Sequence, residues 1–400
     1  MISETLRNTP QVSILSSLRA LLYREWQELR RQPIYVFCMV VAPLFCLFFF
    51  TSLMQEGVPK DLPVGVVDQD RSAVSRNILR NLNSFSQTEI KKSYPDVYSA
   101  RKAMQRGELY GFYYIPSGME HDAIGGRRPT VSFYTNYSYL IAGSFIYRDM
   151  RTMSELAGAA VARQTLYARG ATDRQAMALL QPIVVETHAI HNPWLNYAVY
   201  LCNTLVPGIL GLLITMMTVY AIGCEIKDGT ARQWLSMARR SMPLALLGKL
   251  LPHTLIYFIV GASINLYLYG VLHFPCHGGL AGMMVNTFLF ILACQGLGIL
   301  MIAILPALRL ALSFASLWGV VAFSISGFSF PVMAMHPMLQ GLSWLFPLRH
   351  FFLIYVNHAL NGYAPSYAWP NYAALLGFVL LPFLLLPRLK KELIYMRYIQ

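Results

Sequence analysis

The stretch IYVFCMVVAPLFCLFFFTSLMQ, Ile34 to Gln55, contains no Asp, Glu, Lys or Arg. A charge at the centre of a spanning helix costs about 2.5–3.5 kcal/mol on insertion scales, and about 20 apolar residues cross the hydrocarbon core. The stretch therefore reads as a transmembrane helix. It is too long for a signal-peptide core, whose apolar run is roughly 7–15 residues, and Met54, Gln55 and Glu56 offer no small-residue cleavage site. It stays as an anchor.

Four more charge-free runs follow. Thr187 to Cys224 fits one span after the polar His188 to Asn192 approach. Leu250 to Leu308 is too long for one helix and breaks at His273, Pro275, Gly278 and Gly279, giving Leu250 to Leu272 and Leu280 to Leu305. Leu310 to Leu348 holds a span to about Phe330, before Pro331, Pro337 and Pro347. His350 to Pro387 ends with Tyr372 to Leu386. The reading is a polytopic α-helical membrane protein with six transmembrane helices. Composition agrees: 56% of the 400 residues are apolar and 13% charged, about half the roughly 25% charged share of a soluble domain.

The net charge of +13 would point to nucleic acid in a soluble protein. Here its distribution follows the positive-inside bias. Of the 16 cations outside the segment between the first two spans, fifteen fall on one side: Arg7, Arg19, Arg24, Arg30, Arg31, Lys227, Arg232, Arg239, Arg240, Lys249, Arg309, Arg388, Lys390, Lys391 and Arg397. Arg349 falls on the other. Both termini are expected in the cytoplasm, and no nucleic-acid partner is implied.

Glu56 to Glu186 holds 16 cations and 13 acids, an ordinary charge content for a folded domain, and this topology exports it. Strands are expected at Pro63 to Val67, Leu109 to Ile115, Val131 to Thr135 and Ile183 to Thr187, and helices at Ser72 to Leu82, Val97 to Arg106, Tyr139 to Arg169 and Asp173 to Leu180. The insertion is thus an extracytoplasmic α/β domain. All six cysteines lie outside it, so it folds without disulfides. The expected layout is an interface helix in 1–33, the first span in 34–55, the α/β domain in 56–190, five spans in 191–388 with a cytoplasmic loop at 225–249, and a cytoplasmic tail at 389–400.

No P-loop, Rossmann fingerprint, H-E-x-x-H, C-x-x-C pair or nucleophile elbow occurs. His273, Cys276 and His277 match no standard zinc spacing and read as a polar turn, so no metal site is expected. His253 reads as a packed, hydrogen-bonded residue rather than a proton relay. No carboxylate or cation is expected deep in a span, which weighs against an ion-driven pump. Leu15, Leu18, Leu22, Trp26 and Leu29 form a stripe at helical spacing, so the N-terminal segment is expected to lie on membrane lipid as an amphipathic helix, anchoring or docking a partner. In the loop after the second span, Ala231 to Ala238 reads as a short amphipathic helix with Trp234 and Leu235. Glu225 stands at the inner end of that span, either as an interfacial carboxylate beside Lys227 or as an anchor for the loop.

This order of parts resembles a bacterial ABC type-2 transporter permease with a large extracytoplasmic domain between its first two transmembrane helices. The resemblance covers nearly the whole chain. It is carried by Leu62-Pro-Val-Gly-Val-Val-Asp68 with Asp70-Arg71-Ser72, Gly111 through Ile115-Pro116, Pro129 to Tyr134, Asn192-Pro193 with Asn196-Tyr197, Pro207-Gly208, Glu225 with Gly229-Thr230, Gly248-Lys249, and Ser326-Gly-Phe-Ser-Phe-Pro331 with Met335, Pro337 and Pro347. Gly223-Cys224-Glu225-Ile226-Lys227 stands where the family usually has an acidic pair or a basic-acidic run.

The resemblance implies a separate ABC ATP-binding subunit carrying ATP and magnesium, with no cofactor in this chain. That subunit would dock on the N-terminal helix at Trp26 and on the loop at Glu225, Gly229, Thr230 and Trp234. It also implies a second permease copy or a homologous permease, and admits a periplasmic adaptor where the host has an outer membrane. The site would be the bacterial inner membrane, and the solute a hydrophobic or amphiphilic drug, lipid or glycan leaving outward past Phe328, Phe330, Pro331, Met335 and Trp344. Two other classes compete: a lipid-handling membrane enzyme using His273, His277 or the exported domain, and a ligand-sensing membrane protein using its exported domain.

Overall fold

The computed structural model describes residues 13–188, 192 and 196–395. Arg7, Pro193 and Arg397 lie outside the described residues, as do positions 189–191 of the polar approach and the last five of the tail. The chain divides into two compact units, Met1–Gln55 with Asn196–Gln400, and Glu56–Leu195.

Among its described residues, the first unit holds six helices long and apolar enough to cross a membrane: Pro33–Leu53, Tyr197–Lys227, Met242–Val271, Leu280–Ile304, Leu308–Ile325 and Pro365–Tyr395. They are called the first to sixth spans below. The second packs against the fourth, the fifth and the first, and the fourth also packs against the third and sixth. Tyr257, Phe290, Phe346 and Phe351 fill the centre, while Phe45, Leu255, Leu317 and Leu384 stay exposed on the periphery. Apolar side chains on that rim are what lipid solvates. Interhelical hydrogen bonds stitch the interior: the Tyr269 hydroxyl donates to Asn203 Oδ1 (2.8 Å), Asn265 Nδ2 to Thr287 Oγ1 (2.8 Å), and the Tyr372 hydroxyl to Asn286 Oδ1 (2.9 Å).

Two spans differ from the sequence expectation in a way that bears on the site. The third begins at Met242, eight residues before Leu250, and takes Lys249 into the helix; the second continues through Glu225 to Lys227. Glu225 and Lys249 thus lie inside the ends of these helices, where they pair with each other across the two spans, as described below. The fifth span ends at Ile325 rather than near Phe330. Two short helices, Pro337–Ser343 and Pro347–Tyr355, the latter running into a π turn at Val356–Leu360, precede the sixth.

The second unit is built on a four-stranded sheet in the order β2-β1-β3-β4, where β1 is Leu62–Asp68, β2 Thr88–Ser93, β3 Gly111–Ile115 and β4 Ser132–Thr135. β1 runs parallel to β2 and β3, and β4 antiparallel to β3. Helix Leu140–Ala168 covers one face through Ile146, Met150 and Met153, packed on Leu62, Val64, Tyr113 and Ile115. Helix Val97–Gln105 covers the other through Ala100 and Ala103, packed on Val67 and Phe112. Ser72 and Asp96 cap their helices by accepting from Ser75 N and Ser99 N.

The sequence reading missed β2 because only Thr88 of its six residues is buried, as befits an edge strand. It also missed the short helix Met119–Ile124. The expected strand at Ile183 to Thr187 is not one. That segment pairs with no sheet, and its Ile183, Val184 and Val185 side chains are exposed. A run of β-branched residues without a ladder partner has nothing to hold it as a strand.

Candidate functional site

The helix Ile14–Arg31 starts at Ser13, whose side chain accepts from Ser16 N, and stops at Gln32 because Pro33 opens the first span. Of its apolar stripe only Leu29 is buried: Leu15 and Trp26 are exposed, Leu18 and Leu22 half-buried. The face that does pack carries Ser17, Leu21, Glu25 and Leu29, every fourth residue. It lies against the third span, where Gly248 leaves room for Leu21; a Cβ there would stand 2.6 Å from that of Leu21. This close approach brings Glu25 onto the third span.

A buried charge cluster results. Lys249 Nζ donates to Glu25 Oε2 (2.8 Å) and to Glu225 Oε1 (2.9 Å). Arg24 grips Glu225 with both terminal nitrogens, Nη1 to Oε1 and Nη2 to Oε2, each at 2.9 Å, the bidentate fork that suits a carboxylate. The Thr230 hydroxyl donates to Glu225 Oε2 (2.5 Å), and His253 Nε2 lies 2.9 Å from Glu25 Oε1. The Lys249 ammonium also sits 5.3 Å from the centre of the Trp234 ring. Glu25, Lys249, Glu225 and His253 are all at most 5% exposed.

The cations Arg24 and Lys249 stand against the carboxylates Glu25 and Glu225. Burial alone would push the Glu25 carboxyl up; Lys249 and the His253 hydrogen bond outweigh it and hold Glu25 below the usual glutamate range. Burial likewise works against the Arg24 charge, but Glu225 more than restores it. The cluster locks three elements together, the N-terminal helix and the second and third spans.

Of the residues expected to couple to an ATPase, Glu225 and Thr230 meet here. Gly229 supplies the left-handed turn (φ 69°) that ends the second span and aims Thr230 back at Glu225. Trp234 is 1% exposed, packed inside with Leu235, Ala231 and Ala238, so its ring offers no surface to a partner. Helix Ala231–Met237 is also tied to the end of the sixth span by Arg232, which donates to the Ile394 carbonyl (3.0 Å). Trp26 stands apart from the cluster, 40% exposed, with the Arg30 guanidinium 5.4 Å from its ring centre. Sequence reasoning missed Arg24, Glu25 and His253 as cluster members. No local signal could have found them, since Glu25 and Lys249 are 224 positions apart.

The residues expected at an exit do not form one site. Phe328 turns inward, its carbonyl accepting from the Tyr200 hydroxyl and its ring edge-on to Phe323 and Phe352. Phe330 and Trp344 point outward and are about half exposed, Pro331 is exposed, and Met335 is half-buried with its carbonyl accepting from Gln340 Nε2 (2.9 Å). His273, Cys276 and His277 belong to a turn held by backbone bonds to the π turn, His277 N to the Ala359 carbonyl (2.8 Å) and Gly278 N to the His358 carbonyl (2.9 Å). No group of three metal-ligating side chains occurs among the described residues.

Six apolar spans, an α/β domain inserted after the first, and a charge cluster clamping an N-terminal amphipathic helix to the bundle define a multi-pass membrane protein of transport-permease build. A family model described as ABC-2 family transporter protein matches residues 33–386, and the chain belongs to that family. It is 23% identical over 360 residues to the probable multidrug ABC transporter permease YbhS of Escherichia coli K12, covering 87% of this chain and 89% of that one. The probable multidrug ABC transporter permease YbhR of the same strain is 24% identical over 187 residues, covering 45% and 50% of the two chains.

Proposed function

We propose that this permease is the membrane-spanning subunit of an ATP-driven exporter that moves a hydrophobic or amphiphilic solute, a drug, lipid or glycan, out across the bacterial inner membrane. ATP and magnesium are bound and spent by a separate ABC subunit, and a second permease copy or a homologue completes the pathway. The termini and the charge cluster face the cytoplasm, in line with the fifteen-to-one distribution of cations. A periplasmic adaptor is a further partner where an outer membrane is present.

The observation that carries this reading is the buried Arg24–Glu225–Lys249–Glu25–His253 cluster. It makes the N-terminal helix and the spans behind it one mechanical piece. A push on the exposed side of that helix, at Trp26, is passed to the second and third spans without slack. Nucleotide binding shifts the spans only if the ATP-binding subunit holds two permease states with unequal affinity.

The test uses vesicles containing the permease with its ATP-binding subunit. Glu225→Gln should cut ATP-dependent solute export by about tenfold or more, the loss of one charge-assisted bond from a coupled network, while the subunits still co-purify. Trp26→Ala, on an exposed side chain that leaves the core untouched, should instead weaken co-purification. Export by the permease alone, or export indifferent to both changes, would rule the reading out.

A further inference from the structure

The third, fourth and sixth spans do not close on one another along their whole length. Between them lies a cavity of about 830 Å³, inside the roughly 300–1,000 Å³ range of small-molecule pockets. Its walls include Leu251 and Phe258 of the third span, Phe288 and Leu292 of the fourth, and Phe383 of the sixth. Leu251, Phe288 and Phe383 are each about half exposed, so the cavity opens sideways where lipid would lie. No acid lines it, and Arg239 is the only charged lining residue among the described residues.

One wall residue does not belong in a greasy groove. Gln295, on the fourth span, is 4% exposed and lines the cavity. The one proton of the Thr254 hydroxyl is shared between the Leu250 carbonyl (2.8 Å) and Gln295 Oε1 (2.8 Å), and Gln295 Nε2 has no partner among the described residues. A buried amide donor left unpaired is costly, and each such group in a native structure calls for an explanation. Lipid tails have no acceptor to offer. A lone water needs two to four polar partners, and Thr254 is the one polar neighbour bonded to Gln295. Neighbouring Gly296 shows that the helix contact here is otherwise tight, since any side chain at that position would run into the Phe378 carbonyl.

We infer that this cavity is a binding chamber, within a single permease chain, for an apolar molecule of drug size bearing a carbonyl, ester or ether oxygen that accepts from Gln295 Nε2. The rest of such a molecule is held by the surrounding leucine and phenylalanine side chains, and it enters laterally from the bilayer. As a binding site the chamber stands alone; as the place where cargo is collected it rests on the exporter reading.

The probe is an alkyl-tailed benzophenone, an aromatic ketone that crosslinks on illumination, applied to the permease in lipid nanodiscs without its ATP-binding subunit. Labels should concentrate on the third and fourth spans near Phe258 and Leu292. Gln295→Met and the cavity-filling Leu292→Trp should each lower labelling by about tenfold, as expected for losing one buried hydrogen bond or the space itself, with unchanged unfolding midpoints. In the unaltered protein, excess non-reactive diaryl ketone should displace the probe while the matched hydrocarbon diphenylmethane does not. Labels spread over Phe45, Leu317 and Leu384 in proportion to exposure, or equal displacement by ketone and hydrocarbon, would overturn the chamber. In vesicles with the ATP-binding subunit, Leu292→Trp should abolish export of the same ketone. Wild-type export by that variant would detach the chamber from the transport path, whereas absence of export by the unaltered protein would sink the exporter reading and leave the labelling result intact.

Discussion

Lys249 touches both carboxylates of the cluster; its removal leaves Glu225 to Arg24 but takes from Glu25 its only cation among the described residues, in a buried space. Lys249→Met should lower stability by about 3–5 kcal/mol, the usual loss on deleting one partner of a buried ion pair; thermal unfolding in detergent reads it, and a loss under about 1 kcal/mol would mean the pairing is solvated. Glu25 gives the pH dependence. Its folded value is held below that of the free side chain, so its contribution is fully present above the unfolded glutamate value of about 4.3 and fades as pH falls through the lower folded value. The unfolding midpoint of the unaltered protein should therefore drop more steeply than that of Glu25→Gln below about pH 4. These partners were not legible in the chain. Glu25 and Lys249 are 224 positions apart, and nothing local marks an acid on the polar side of a helix as one that will be buried.

At the scale of elements, the seam between the N-terminal helix and the third span depends on Gly248 having no side chain. Gly248→Val should displace the helix, cost about 1–3 kcal/mol by overpacking, and open the 14–31 segment to protease; unchanged digestion would show the seam is loose. In the inserted domain, Thr88 of β2 donates to the buried Asp149 carboxylate (2.7 Å), and burial raises the Asp149 carboxyl despite that bond. A raised folded value means stability present below the unfolded value and lost as pH rises. Asp149→Asn keeps an acceptor for Thr88 and should equal or exceed the unaltered domain in stability at pH 8, as read by hydrogen exchange in β2. The short apolar run of Leu62–Asp68 and the long helix Leu140–Ala168 could be read from sequence. β2, with one buried residue, and the unpaired run at Ile183 to Thr187 could not, because strand identity is settled by a neighbour rather than by the segment itself.

For the molecule as a whole, the proposed orientation places the inserted domain and the N-terminal helix on opposite sides of the membrane. In a cysteine-free background, Tyr98→Cys, at an exposed position, should react with an impermeant maleimide in intact cells, and Arg19→Cys only after permeabilisation. The reverse pattern would invert the topology and with it the side on which an ATP-binding subunit docks.

Sequence alone determined the six membrane crossings and the folded insertion after the first, because lipid penalises charge residue by residue and that cost adds up along a single segment. It stopped the second span at Cys224 and started the third at Leu250, just short of Glu225 and Lys249, because the penalty it applied to every charge is offset where a charge meets an opposite one. Which acid meets which base, where an unpaired amide faces an open cavity, and which residues of the exit stretch turn inward were decided by tertiary structure. Each depends on groups brought within about 3 Å from distant parts of the chain, and pairing at that range leaves no periodic trace in the order of residues.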